Sequence, residues 1–221
     1  MNILRKPFKY TFFRATLTII LINLAAHFLF KTLSFNKNFF GLNVLGFIYN
    51  HYFWQSFTYM FVHGDFSHLF FNMLALVFFG ESTERALGSK EFLLMYFSIG
   101  IMSGLFSLGV YYFYGSFLLS EGIEPWTWRI SLIGASGAIY GMLFAYAVIF
   151  PRSRIFIWGL IPVPAPIMVT GYAVIEFVSQ FISSSNVAHM THLAGFAFAW
   201  LYFLIRMGIH PVQVWKDAYK N

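Results

Sequence analysis

The chain has 221 residues, 59% of them hydrophobic and 10% charged, with a formal net charge of +6 and no cysteine. Soluble domains run at roughly 45–50% apolar and about 25% charged, so an ordinary soluble globule is excluded; the lack of cysteine excludes disulfides, thiolate metal ligands and a cysteine nucleophile. The basic residues stand in short clusters between apolar runs instead of covering one face, a pattern of membrane topology and not of nucleic-acid binding.

In chain order there are about six apolar runs near the roughly 20 residues that cross a bilayer as helix: Ala15–Leu33, Phe57–Gly80, Phe92–Tyr114, Leu132–Phe150, Ile167–Ile182 and Ala188–Ile205. The expected fold is all-α, a polytopic membrane bundle of six transmembrane helices. The first run is too long for a removable signal peptide and lacks a small-residue cleavage site, so it is expected to stay in place. Ser34–Ser56 is long, aromatic and poor in charge, and is expected partly in the interface. Pro162, Pro164 and Pro166 do not suit a regular helix interior, which puts Ile155–Leu160 at the interface before the fifth helix. An inside N-terminus gives Arg5, Lys6, Lys9, Arg14, Arg85, Lys90, Arg152, Arg154, Arg206, Lys216 and Lys220 to the cytoplasm and leaves Lys31, Lys37 and Arg129 outside. The chain then divides into a cytoplasmic segment 1–14, a membrane domain 15–207 and a cytoplasmic tail 208–221.

Within this topology depth can be counted along the spans. Ser136 lies 15 residues before Pro151 and His192 lies 14 before Arg206, so at about 1.5 Å per residue both sit roughly 21–23 Å above the cytoplasmic edge. Gly137 and Gly141 on the fourth span face Gly195 and Ala199 on the sixth, small residues that let two helices approach closely. That closeness allows a serine–histidine hydrogen bond, with His192 as general base and then general acid. His68 and Asn72, spaced i, i+4, share a face of the second span, where they can donate to an oxyanion together with the free N–H groups at the start of the fourth helix. Tyr140, one turn below Ser136, is placed to stack on His192.

With no Asp or Glu expected at this depth near His192, the sequence reads as a dyad and not a triad. His189 stands one turn above His192 and is the alternative base, read instead as a polar residue at the mouth. Glu176, inside the fifth span, is read as a hydrogen-bonded structural acid near mid-membrane. His63 is read as tying down the first loop or binding water. A metal site from His63, His68, His189 and His192 lacks the His-Glu-x-x-His pattern of intramembrane metalloproteases, so neither metal nor other cofactor is expected.

The segments Phe57-Thr58-Tyr59-Met60-Phe61-Val62-His63, His68-Leu69-Phe70-Phe71-Asn72, Glu84-Arg85-Ala86-Leu87-Gly88, Gly134-Ala135-Ser136-Gly137-Ala138-Ile139-Tyr140-Gly141 and His192-Leu193-Ala194-Gly195, in this order, resemble the rhomboid intramembrane serine proteases of the bacterial six-helix type. The resemblance runs from Trp54 to Trp200. It implies Ser136 as nucleophile, His192 as base, His68 and Asn72 as oxyanion side chains, and an inner-membrane location in a bacterium. It also implies transmembrane protein substrates that enter past the fifth helix and are cut near their outer ends. Two positions depart from the family pattern: Trp54-Gln55 replaces a Trp-Arg pair, and Ala199 replaces a glycine. The alternative function is a non-catalytic rhomboid-like binder of transmembrane segments; such relatives typically lose the serine or the histidine, and both are kept here. A transporter is disfavoured because no pair of repeated halves is present.

Overall fold

The computed structural model describes residues 7–33, 35–157, 159–182 and 186–220. Arg5 and Lys6 of the N-terminal segment, Ser34 of the first loop, and Trp158 of the expected interfacial stretch lie outside the described residues.

The architecture is helical. Helix α1 spans Ala15–Thr32, and the single turn α2 spans Lys37–Phe40. α3 (Gln55–Thr58) runs through a 3₁₀ turn, Tyr59–Phe61, to a break. α4 (Phe66–Ala75) follows, passes through a π turn at Leu76–Gly80 and continues as α5 (Glu81–Leu87). α6 covers Ser89–Ser120 and α7 covers Ser136–Ile149. Strands β1 (Arg154–Ile157) and β2 (Ile161–Pro164) pair antiparallel, Arg154 opposite Pro164 and Ile157 opposite Ile161. α8 (Ala165–Ile182), α9 (Asn186–Tyr202, extended by a π turn Phe203–Met207) and the amphipathic α10 (Pro211–Ala218) complete the chain.

Among the described residues four helices are long and apolar enough to cross a membrane: Ala15–Thr32, Ser89–Ser120, Ala165–Ile182 and His189–Met207. The pair Gln55–Phe61 and Phe66–Leu87, bent by 94°, makes a fifth if it is one span, and Ser136–Ile149 is apolar but shorter. The expected six spans are therefore matched only when the broken pair and the short helix are both counted.

Three details differ from the sequence expectation, each for a local reason. The second apolar run is not one rod: Asp65 has extended backbone, its carboxylate accepts from the N–H of His68 (2.8 Å), and this cap starts a new helix inside an apolar stretch. The fourth helix begins at Ser136 and not at Leu132, because Leu132 is paired as an isolated antiparallel bridge with Leu42 of the first loop and Gly134 has φ 108°. The fifth helix begins two residues early, at Ala165, with Pro166 in its first turn, where a missing N–H costs nothing. Pro162 and Pro164 stand in β2 of a two-stranded hairpin, which tolerates a residue without a donor on its open side.

α7 is the core helix. Ala138, Ile139, Met142, Phe144, Ala145 and Val148 are buried against neighbours on several sides. At about 1.5 Å per residue it is roughly 21 Å long, whereas α6 reaches roughly 48 Å and overruns a hydrocarbon layer of about 30 Å. Phe113, Phe177, Phe181 and Ile182 face outward, as apolar residues of a lipid-facing surface do.

The first loop is tied down by polar contacts made from Gln55, which is fully buried. Its Oε1 accepts from the N–H of Asn43 (3.3 Å) and its Nε2 donates to the carbonyl of Asn38 (2.9 Å). Trp54 Nε1 donates to the carbonyl of Phe39 (3.0 Å). Trp54 and Gln55 thus anchor the first loop at this position, the amide meeting backbone on both its oxygen and its nitrogen.

Candidate active site

A cavity of about 690 Å³ opens between α4, α7, α8 and α9. His68, Asn72, Gly134, Ser136, Tyr140, Tyr172 and His192 all line it. The bend before α4 places the first two. His68 is in the first turn after the Asp65 cap; its Nδ1 accepts from the N–H of Gly64 (3.4 Å), which leaves the proton on Nε2. A Cβ on Gly134 would lie 2.7 Å from that Nε2, so glycine is what allows the imidazole to reach the backbone leading into Ser136. The ring of His63 packs edge to face on His68 at 5.0 Å. Asn72 is buried, and its Nδ2 donates one proton to the carbonyl of His68 (2.9 Å), leaving the second.

Ser136 is the first residue of α7 and is partly exposed to the cavity. The Ile139 N–H makes the bond to Ala135 O (3.1 Å), so the N–H groups of Ser136, Gly137 and Ala138 precede it and have no intrahelical acceptor. α7 and α9 are in backbone contact at the glycines: a Cβ on Gly195 would collide with the carbonyl oxygen of Gly137, and one on Gly141 would come within 3.4 Å of the carbonyl oxygen of Gly195. Tyr140 lies flat on His192, with ring centroids 4.0 Å apart and planes 5° from parallel. Beside this contact Ser107 and Thr191 share a hydrogen bond of 2.9 Å between α6 and α9.

The expectation that no acid lies near His192 is wrong. His192 Nδ1 lies 2.9 Å from Glu176 Oε1, His189 Nδ1 lies 2.5 Å from Glu176 Oε2, and the Tyr140 hydroxyl donates to Oε1; an ionised carboxylate only accepts, which assigns the protons to the two ring nitrogens. Counting residues along a span fixes only the level of a Cα, and it starts from an assumed edge. The Glu176 carboxylate is reached from the side, by imidazole arms from α9 and a phenol from α7, which a count along one span does not register. The signal was in the sequence all the same, since an ionisable residue inside a span points to a polar partner. His189 is held by that carboxylate and is not among the residues lining the cavity. Among the described residues no cluster of three or more His, Asp or Glu is arranged to hold a metal ion.

Residues 50–208 match the family model described as the rhomboid domain. The chain is 33% identical over 141 residues to "Rhomboid protease AarA" of Providencia stuartii, covering 60% of this chain and 50% of that protein. It is 31% identical over 144 residues to "Putative rhomboid protease YdcA" of Bacillus subtilis, covering 64% and 61%. Against "Rhomboid protein 1, mitochondrial" of Saccharomyces cerevisiae it is 36% identical over 104 residues, covering 47% and 27%. The chain thus spans between 27% and 61% of the length of these three relatives.

Proposed function

Because the chain belongs to the rhomboid family of integral membrane proteins, we propose that it is an intramembrane serine endopeptidase that cleaves transmembrane segments of other proteins. The observation that carries the reading is the convergence of Ser136, His192, His68 and Asn72 on one cavity, with Ser136 at a helix start and His192 held flat by Tyr140. With Nδ1 engaged by Glu176, His192 offers Nε2 to the serine. Ser136 Oγ attacks the scissile carbonyl while Nε2 takes its proton. The negative oxygen that develops is met by His68 Nε2–H, the second Asn72 Nδ2 proton and the first-turn N–H groups of α7. His192 then gives its proton to the leaving amine, and the Ser136 ester remains. Water, deprotonated by His192, hydrolyses that ester and frees the serine.

We further propose that both termini lie on the cytoplasmic side, which the distribution of Lys and Arg supports, and that the location is a bacterial inner membrane, which the resemblance implies. The membrane domain is taken as 15–207, and the substrates are membrane proteins whose transmembrane segments enter from the lipid. No cofactor takes part in this chemistry.

The test is incubation of the purified protein in detergent with a panel of single-span proteins and with a fluorophosphonate probe. The protein cleaves a member of the panel and is labelled at Ser136, and Ser136→Ala does neither while folding normally, since one small residue replaces another. Cleavage by Ser136→Ala at the rate of the unsubstituted protein ends the proposal by showing a different nucleophile, and a protein that neither cleaves any member of the panel nor is labelled leaves the non-catalytic binder as the reading.

A further inference from the structure

Glu176 is 6% exposed, and α8 buries little besides it: Ala165, Pro166 and Val169 at its start are its other buried residues. Beyond Glu176, Phe177, Val178, Phe181 and Ile182 are turned outward, with Ser179 and Gln180 half-buried. An ionised carboxylate removed from water loses its solvation and persists only where donors replace the water. Here three donors replace it. They come from two other helices: Tyr140 of α7, and His189 and His192 of α9.

The donor set is specific in a way that helix packing alone does not require. The carboxylate meets His192 at Nδ1, so the nitrogen left over is Nε2, on a residue whose ring lines the cavity. An acceptor at Nδ1 holds the neutral imidazole in the tautomer that carries its proton there. Tyr140 acts on the same ring twice. Its face holds the imidazole plane by stacking, and its hydroxyl donates to Oε1, the oxygen that accepts from His192. Ring plane, tautomer and carboxylate orientation are thus set by one connected group of four side chains.

We propose that Glu176 is a positioning residue for the histidine base, completing a serine–histidine–glutamate arrangement whose acid comes from α8. This rests on the serine-protease reading above. Glu176 does not touch substrate. It fixes the Nδ1–H tautomer of His192 and faces the positive charge that forms on the imidazole when Ser136 gives up its proton. Because the acid belongs to the least buried long helix around the cavity, the base is complete only while α8 is packed against α7 and α9.

The experiment has two arms, both on the full chain in detergent. In the first, Glu176→Gln, Glu176→Asp and the unsubstituted protein are compared in cleavage of a single-span substrate and in the rate of fluorophosphonate labelling. Glu176→Gln lowers kcat and the labelling rate roughly 10²-fold, within the range that general acid–base catalysis contributes, with KM changed less than about twofold. Glu176→Asp, which keeps the charge, recovers part of both. A folded Glu176→Gln with kcat within about twofold of the unsubstituted protein overturns the proposal. The second arm needs no variant at position 176 to fold: ¹⁵N NMR of the unsubstituted protein with labelled histidine, assigned by the signal missing in His192→Ala, finds neutral His192 protonated on Nδ1. Protonation on Nε2 overturns the proposal. A protein that is never labelled at Ser136 but shows the Nδ1 tautomer defeats the protease reading and leaves the Glu176–His192 contact standing.

Discussion

Asn72 shows how much a single side chain is asked to do. Its amide has two protons, one spent on the carbonyl of His68, and the other is free for charge that appears only in the transition state. Asn72→Ala therefore lowers kcat about 10²–10³-fold with KM nearly unchanged, the scale of one oxyanion donor, as read from steady-state cleavage of a single-span substrate. An equal loss in 1/KM instead places Asn72 in ground-state binding. The two histidines of α9 separate in the same assay. His192→Ala removes cleavage and labelling of Ser136 together, because the base is gone, whereas His189→Ala keeps measurable turnover and labelling, since His189 holds the second carboxylate oxygen and does not line the cavity. The reverse behaviour makes His189 the base. At this scale the polar candidates Ser136, His192, His68, Asn72 and Tyr140 were legible in the sequence and the structure brings them to one cavity, whereas lining residues such as Tyr172 and Thr191, from helices whose lateral packing the spacing does not reveal, were not. Glu176 was legible as an oddity but not as a neighbour of His192, because lateral packing of α8 against α9 leaves no trace in the spacing along either helix.

Elements were legible where apolar length alone decides them and illegible where a single capping residue does. Ala15–Leu33 was expected and Ala15–Thr32 is found, since nothing polar interrupts the run. The break before α4 was invisible to hydropathy: residues 57–80 stay apolar on average, yet the chain bends by 94° between Gln55–Phe61 and Phe66–Leu87, and the Asp65 carboxylate caps the new helix at the His68 N–H. That cap also fixes the position of His68 over Gly134. Asp65→Ala consequently loses about 1 kcal/mol of helix stability, the usual value of an N-cap, seen as a small fall in the thermal midpoint. Activity falls more than that energy suggests, because His68 moves relative to Ser136; an unchanged kcat in Asp65→Ala shows that the ring is held by Gly64 and His63 alone. The α7–α9 contact makes the opposite case. The small residues were visible in the sequence, and the collision that a Cβ on Gly195 would make with the Gly137 carbonyl explains them. The obstacle is backbone, which cannot rotate away, so Gly195→Ala separates the helices at about 1–3 kcal/mol and lowers the thermal midpoint. An unshifted midpoint means that the helices part freely and that glycine is not needed there.

Across the whole molecule, polar side chains at the end of α9 away from the cavity join segments distant in sequence. Glu91, at the start of α6, accepts from the Tyr202 hydroxyl (2.5 Å), from Arg206 through Nε (2.9 Å) and Nη2 (3.0 Å), and from the backbone N–H of Phe8 (2.9 Å). Nearby, Glu84 takes the N–H groups of Ala15 (2.6 Å) and Thr16 (2.8 Å), serving the donors at the start of α1 that no helix bond can reach. α10 closes the same end, Trp215 Nε1 donating to the carbonyl of Ala147 in the last turn of α7 (2.9 Å). Lipid offers no hydrophobic drive between helices, so such polar joints and close packing carry the association. The joints lie 14 residues along α9 from His192 to Arg206, about 21 Å, and none of their side chains lines the cavity. These polar joints are thereby separated in space from the cavity. Glu91→Ala removes the carboxylate that Arg206, Tyr202 and the Phe8 N–H share. With side-chain exposures of 1% for Glu91 and 15% for Arg206, the loss should approach the roughly 3–5 kcal/mol of breaking one partner out of a buried pair. The thermal midpoint in detergent falls by several degrees, while kcat, measured well below the new midpoint, stays within about twofold. A midpoint that does not move shows that the pair adds nothing net to the fold, and a kcat that falls with the midpoint shows that the two ends of α9 are coupled.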